Sequence, residues 1–138
     1  GSAMLAVMIL GAEGVQVGSR FVASDEASSH SLFKEKVVEA GEGDTQLTLK
    51  ELAPVRILKN KFYQDLQAAY EQGYGAEELK NLLGRARAKR GMFEGDMEEG
   101  ELEIGQVSAL IHDIKPAAEI IEGMMQEFNE AKKRLTDL

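Results

Sequence analysis

The stretch GAEGVQVGSRF, residues 11–21, limits what this chain can fold into more than any other. Val15, Val17 and Phe21 favour extended backbone and Gly14 and Gly18 bound the valine pair, so the spacing predicts a strand of four or five residues. A parallel strand in a core needs neighbours on both sides for its N–H and C=O groups. The chain offers few. Residues 3–10 read as a short buried helix closed by Gly11, and most of the chain beyond residue 21 has helical spacing too. The pattern therefore predicts a mainly α chain with one to three short strands. Its first strand belongs to a larger fold or draws on another copy.

Ser24-Asp25-Glu26 is a helix start, and Leu32, Phe33, Val37 and Val38 continue it to Ala40. Thr45 to Leu49 alternates as a second strand, although Thr48 with Glu51 also fits a capping box. Pro54 then opens a long helix over residues 55–72, with Val55, Leu58, Phe62, Leu66 and Ala69 on one face. Further helices are predicted over residues 76–88, 101–111 and 116–135, separated by glycines at 91, 95 and 100. In the last, Met124, Met125 and Phe128 form a core or partner face.

Composition narrows the function. With 138 residues, 43% hydrophobic and 29% charged, the chain is suited to one globular core. A net charge of −8 argues against a nucleic-acid groove or an anionic membrane surface, so small molecules or proteins are the expected partners. There is no cysteine, which fits a reducing cytoplasm. The longest apolar run, Ala3 to Leu10, is too short to span a bilayer and has no basic segment before it. A soluble, cytoplasmic chain is expected.

Several blocks in order, GAEGVQVGSRF, EASSHSLFKEKVV, DTQLTLKELAPVRILKNKF and LLGRARAKRGMFEGDMEEGELEIGQVSALI, resemble a known family. They are similar to the C-terminal part of the FMN-dependent nitronate monooxygenases (2-nitropropane dioxygenases) and the related flavin-containing type II enoyl-acyl-carrier-protein reductases. The resemblance implies a parent (β/α)8 TIM barrel with a helical cap. Residues 1–24 would be its last helix-strand unit with a phosphate-binding turn, and residues 25–138 the mostly helical C-terminal region. It implies that Gly18 and Ser19 hold the FMN phosphate through backbone N–H groups and the serine hydroxyl, with Gln16 close by. Glycine permits close approach, and successive N–H groups at such a turn form an anion-binding concavity. The family more often has Thr at position 19; either hydroxyl can donate.

The resemblance also places earlier strands, a further glycine pair and the catalytic base ahead of residue 1. No catalytic residue is therefore assigned, and the isolated chain is expected to be inactive. The parent would oxidise alkyl nitronates with molecular oxygen; the alternative is reduction of an enoyl thioester with NAD(P)H. A reading of a different class is a non-catalytic helical oligomerisation module. A homo-oligomer is expected, since apolar surface left bare by absent strands promotes self-association.

Other polar groups have plainer readings. His30 reads as a polar helix-start residue, and His112 beside Asp113 as a solvated helix end or a proton-transfer pair. The acidic run from Glu94 to Glu103 lacks the ladder of a calcium loop. No metal site is expected. Arg56, Lys59 and Asn60 share one helix face in this reading and match the family's R-x-x-K-N pattern, which suggests buried polar bonding or a place at the active-site mouth. Gly105-Gln106 matches its GQ-x-x-x-L block, implying either an amide bond to flavin or substrate, or helix packing.

Overall fold

A computed structural model describes residues 1–136. The chain is mainly helical, as expected, but several elements differ from the sequence reading. Helix α1, Ser2–Ile9, ends on a turn at Leu10 and Gly11. It is apolar on all sides, yet none of its residues is buried. A helix apolar all round is normally enclosed by protein. Here α1 packs chiefly on α7, the long C-terminal helix Ala117–Thr136.

The short strand predicted around Val15 to Gly18 does not form. Residues 14–18 carry no regular structure, and the chain turns into a one-turn helix α2, Ser19–Val22. No neighbouring strand among the described residues lies alongside them, so there is nothing for the backbone of Val15 to Gly18 to pair with. The helix expected from Ser24 begins seven residues late, as α3, Ser31–Glu39. Local bonds hold the intervening turn instead: Ser24 Oγ donates to the Phe21 carbonyl at 2.8 Å and Ser29 Oγ to that of Val22 at 3.0 Å.

Strand β1, Thr45–Thr48, pairs antiparallel with β2, Val55–Leu58, with Thr45 opposite Leu58. The first strand matches the alternating pattern. The second replaces the start of the helix expected over residues 55–72, which begins only at α4, Lys61–Glu71. Two features override the helical spacing: the β-branched Val55 and Ile57 have a partner strand, and Asn60 caps α4 by accepting from the Tyr63 N–H at 3.0 Å. The amide of Asn60 also donates to the Met97 and Gly100 carbonyls at 3.0 and 2.8 Å.

The helix predicted over residues 101–111 is also replaced. Leu102 to Ile104 runs extended beside β2: the Leu58 N–H donates to the Leu102 carbonyl at 2.9 Å and the Ile104 N–H to that of Arg56 at 3.1 Å. A 3-10 turn, Gln106–Leu110, comes next. The single helix expected over residues 76–88 is broken into α5, Ala76–Leu83, and α6, Arg87–Met92. Between them Gly84 and Ala86 adopt positive φ. Arg87 joins the two pieces, donating to the carbonyls of Leu82, Leu83 and Glu99 at 2.7–2.9 Å and covering the Phe62 ring.

Successive residues of a strand point to opposite faces, and β2 uses both. Leu58 joins Phe33, Val37, Leu102, Ile104 and Ile111 in one apolar cluster. Ile57 joins Leu49, Phe62, Leu66 and Leu79 in another, under α4 and α5. α7 keeps closely to its expected bounds. Of its predicted apolar face, however, Met125 is exposed and Met124 and Phe128 are only half-buried, while Ile120 and Ala131 are buried.

A Cβ on Gly100 would lie 2.2 Å from the Gly91 Cα and 2.4 Å from the Asp96 carbonyl oxygen, so the backbones of α6 and the loop after it touch. Gly100→Ala is expected to destabilise the protein by about 3 kcal/mol, read as a lower denaturant midpoint. Glu101 is buried, and desolvation, reinforced by Glu103, pushes its carboxyl from 4.5 up to about 6. The folded value exceeds the unfolded one, so the stability tied to this proton is complete below about pH 4.5 and is lost as pH rises through about 6. Glu101→Gln is expected to remove that decline and to be more stable than the parent at pH 7 by on the order of 1–2 kcal/mol, measured by thermal melts across the window.

Candidate functional site

The turn at Gly18 and Ser19 stands between two hollows. One, a cleft of about 680 Å³, is bounded by Gln16, Gly18 and Ser19, by His112 and Asp113, and by Glu119 of α7. The other, of about 410 Å³, lies against Arg56, Glu103 and Gly105. Gln16 and Gly18 are exposed and Ser19 is half-buried. All three residues singled out from the sequence thus reach one cleft.

Backbone donors at this turn lack partners. As the first groups of α2, the N–H groups of Ser19 and Arg20 have no carbonyl a turn behind them. With that of Gly18, they meet no acceptor among the described residues. A Cβ placed on Gly18 would meet nothing within 4 Å, so the space in front of the turn is open. Ser19 is held from behind: its Oγ accepts from the Gly105 N–H at 3.1 Å. The hydroxyl proton is left free to donate outward. Only glycine allows this approach at position 105, because a Cβ there would lie 2.8 Å from Ser19 Oγ.

The chain from Gly105 to Ala117 straps the turn from one side. Arg20 donates to the Asp113 carboxylate and carbonyl, and Lys115 Nζ donates to the same carboxylate at 2.7 Å. Chiefly through Lys115, with Arg20 adding to it, these contacts hold the Asp113 carboxyl below the usual range. The Asp25 N–H donates to the Lys115 carbonyl at 3.1 Å and the Ala117 N–H to Glu26 Oε2 at 2.8 Å. Sequence reasoning singles out Gly105 only as part of a block and misses Arg20 and the rest of the strap. The paired residues lie 86 to 93 positions apart, and no local pattern joins them.

The other candidates fall outside this cleft or take structural roles. His30 Nδ1 accepts from the Leu32 N–H at 3.2 Å and starts α3. His112 is exposed at the cleft wall, and Asp113 turns to Arg20 and Lys115. Arg56, Lys59 and Asn60 do not share a helix face. Arg56 lies in β2 and donates to Thr45 Oγ1 at 3.1 Å, Lys59 sits over the Tyr63 ring, and Asn60 caps α4. In the acidic run, Glu94 pairs with Lys89, Asp96 with Arg90 and Glu99 with Lys61. Among the described residues no three His, Asp or Glu side chains gather as a metal-binding cluster, and no helix is long and apolar enough to cross a membrane.

Comparison with known proteins places the chain. A family model for nitronate monooxygenase matches residues 2–127. The probable nitronate monooxygenase of Staphylococcus saprophyticus is 30% identical over 97% of this chain and 38% of its own length; that of Bacillus subtilis is 29% identical over 88% and 35%. Among solved structures, FabK from Thermotoga maritima superposes with a TM-score of 0.84 at 39% identity, over 99% of this chain and 43% of that one. Nitroalkane oxidase from Streptomyces ansochromogenes gives 0.74 at 25% identity, over 97% and 38%. The chain belongs to the nitronate monooxygenase family, and it spans about two fifths of the length of these relatives.

Proposed function

We propose that this chain is the part of an FMN-dependent oxidoreductase that grips one side of the cofactor's phosphate, through Gln16, Gly18 and Ser19. One observation supports this reading best. Three consecutive N–H groups at the turn, those of Gly18, Ser19 and Arg20, have no acceptor among the described residues, the Ser19 hydroxyl is tied to Gly105, and a Cβ on Gly18 would meet nothing within 4 Å. Successive amides of this kind favour an anion, and the free hydroxyl suits a phosphoryl oxygen. Bound FMN would supply the isoalloxazine that carries the electrons. The chain's own contribution is to bind and orient. Gly18 leaves room for the phosphate, Ser19 donates to it, and the strap keeps the turn in place.

The remaining barrel strands would come from sequence beyond this chain. That would account for the bare apolar surface of α1 and the turn after it, where Ile9 is 64% and Leu10 85% exposed. Residues 1–24 would then be the last helix-strand unit of the barrel and residues 25–138 its helical cap. The same arrangement would let Val15 and Val17 pair with a neighbouring strand from outside the described residues.

The family membership supports oxidation of an alkyl nitronate with molecular oxygen as the reaction of the whole protein. A second reading, FabK-type reduction of an enoyl thioester with NAD(P)H, is favoured by the 39% identity to FabK against 25% for the nitroalkane oxidase. Purified whole protein should be yellow. Oxygen uptake on addition of a primary alkyl nitronate supports the first reaction, and oxidation of NAD(P)H dependent on an enoyl thioester supports the second. Ser19→Ala is expected to weaken FMN binding roughly tenfold, the loss of one charge-assisted donor. Gly18→Val, which fills the open space, should prevent flavin retention on dialysis. Unchanged flavin content in both variants would refute the phosphate assignment.

A further inference from the structure

We infer that Arg20 and Asp113 are a positioning pair that sets the orientation of the phosphate-binding turn, and that the Arg20 guanidinium, unlike its backbone N–H, is not a ligand of the phosphate. The inference rests on the proposed phosphate role of Gln16, Gly18 and Ser19. By sequence and charge alone, a guanidinium one residue beyond such a turn is the obvious phosphate ligand. The structure commits it elsewhere. Nη1 donates to the Asp113 carbonyl at 3.0 Å and to the Ala23 carbonyl at 3.3 Å, and Nη2 donates to Asp113 Oδ1. The other oxygen of that carboxylate accepts from Lys115 Nζ at 2.7 Å. With the Arg20 side chain 21% exposed, the pair is partly withdrawn from solvent.

α2 is four residues long, so its own hydrogen bonds cannot fix where its first N–H groups point. Direction must come from outside. Ser19 is tied to Gly105 behind the turn, and Asp25 to Lys115 beyond the far end of α2. Between them Arg20 ties the body of the helix to Asp113, and it is the charged contact of the three. Its fork reaches a carboxylate and a carbonyl of the same residue and so resists rotation in a way a single bond does not. Removing it leaves the two neutral ties in place. The fold should survive while the turn swings.

The two possible roles of Arg20 predict opposite signs for one variant. Dissociation constants for FMN and for riboflavin, which lacks the phosphate, would be measured on the whole protein by flavin fluorescence. The set is the parent, Asp113→Asn, Arg20→Gln, the double variant, and Arg20→Lys, which keeps the charge without the fork. A positioning pair predicts that each single variant weakens FMN roughly tenfold, that the double variant is no weaker than either, and that riboflavin binding is unchanged. Tighter FMN binding by Asp113→Asn would show a released guanidinium turning onto the phosphate and would overturn the inference. So would additive losses, parallel weakening of riboflavin, or unchanged FMN binding in both Asp113→Asn and Arg20→Lys. A parent protein that does not prefer FMN to riboflavin overturns the phosphate assignment itself, an outcome separate from all of these.

Discussion

One short extended pass of chain, residues 101–105, organises the rest of the structure. The Glu101 N–H donates to the Arg87 carbonyl, Leu102 and Ile104 bond β2, and the Gly105 N–H ends on Ser19 Oγ. Five residues thus join α6, the small sheet and the turn at Gly18 and Ser19, which lie far apart in sequence. Alternation makes this possible. Leu102 and Ile104 enter the core shared with α3, while the Glu103 side of the strand lies opposite Ile57. A helix over the same residues would bury one stripe but could not reach both β2 and Ser19.

Close backbone contact is the recurring device. Gly91 against Gly100 lets the chain enter the extended pass, and Gly105 against Ser19 lets it leave beside the turn. Polar side chains then secure what the glycines bring together. Asn60 holds the loop at Met97 and Gly100, Arg87 closes the end of α5 onto Glu99, and Arg20 ties α2 to the strap. Each side chain satisfies two or three groups that would otherwise be left without a protein partner, and an unpaired group withdrawn from water is costly. The turn at Gly18 and Ser19 is therefore rigidly supported on one side and open on the other. That is the asymmetry a binding edge needs.

The sequence is most legible where the determinants are local. The extent of α7 and the alternating residues of β1 depend on spacing within one element, and both stand close to where that spacing places them. The blocks around GVQVGS point to the cleft-lining residues without help from the fold. The failures share a cause. Val55-Arg56-Ile57-Leu58 fits a helical face and a strand equally, and only the presence of β1 decides for the strand. Glu-Leu-Glu-Ile at 101–104 alternates plainly, yet its acidic residues suit a helix start as well. Val15 and Val17 have strand propensity but no partner among the described residues.

By itself the sequence determined the family, the predominance of helix, the lack of any cysteine, and the identity of the small residues at the turn. These depend on residue types and their order along the chain. Only the tertiary structure decided that Arg20 turns toward Asp113, that Gly105 stands behind Ser19, and that Leu102 to Ile104 runs extended beside β2. Each of those outcomes is a choice between partners almost a hundred residues apart or across a packed core. Local propensities differ by about 1 kcal/mol or less between the alternatives, so the long-range contact chooses.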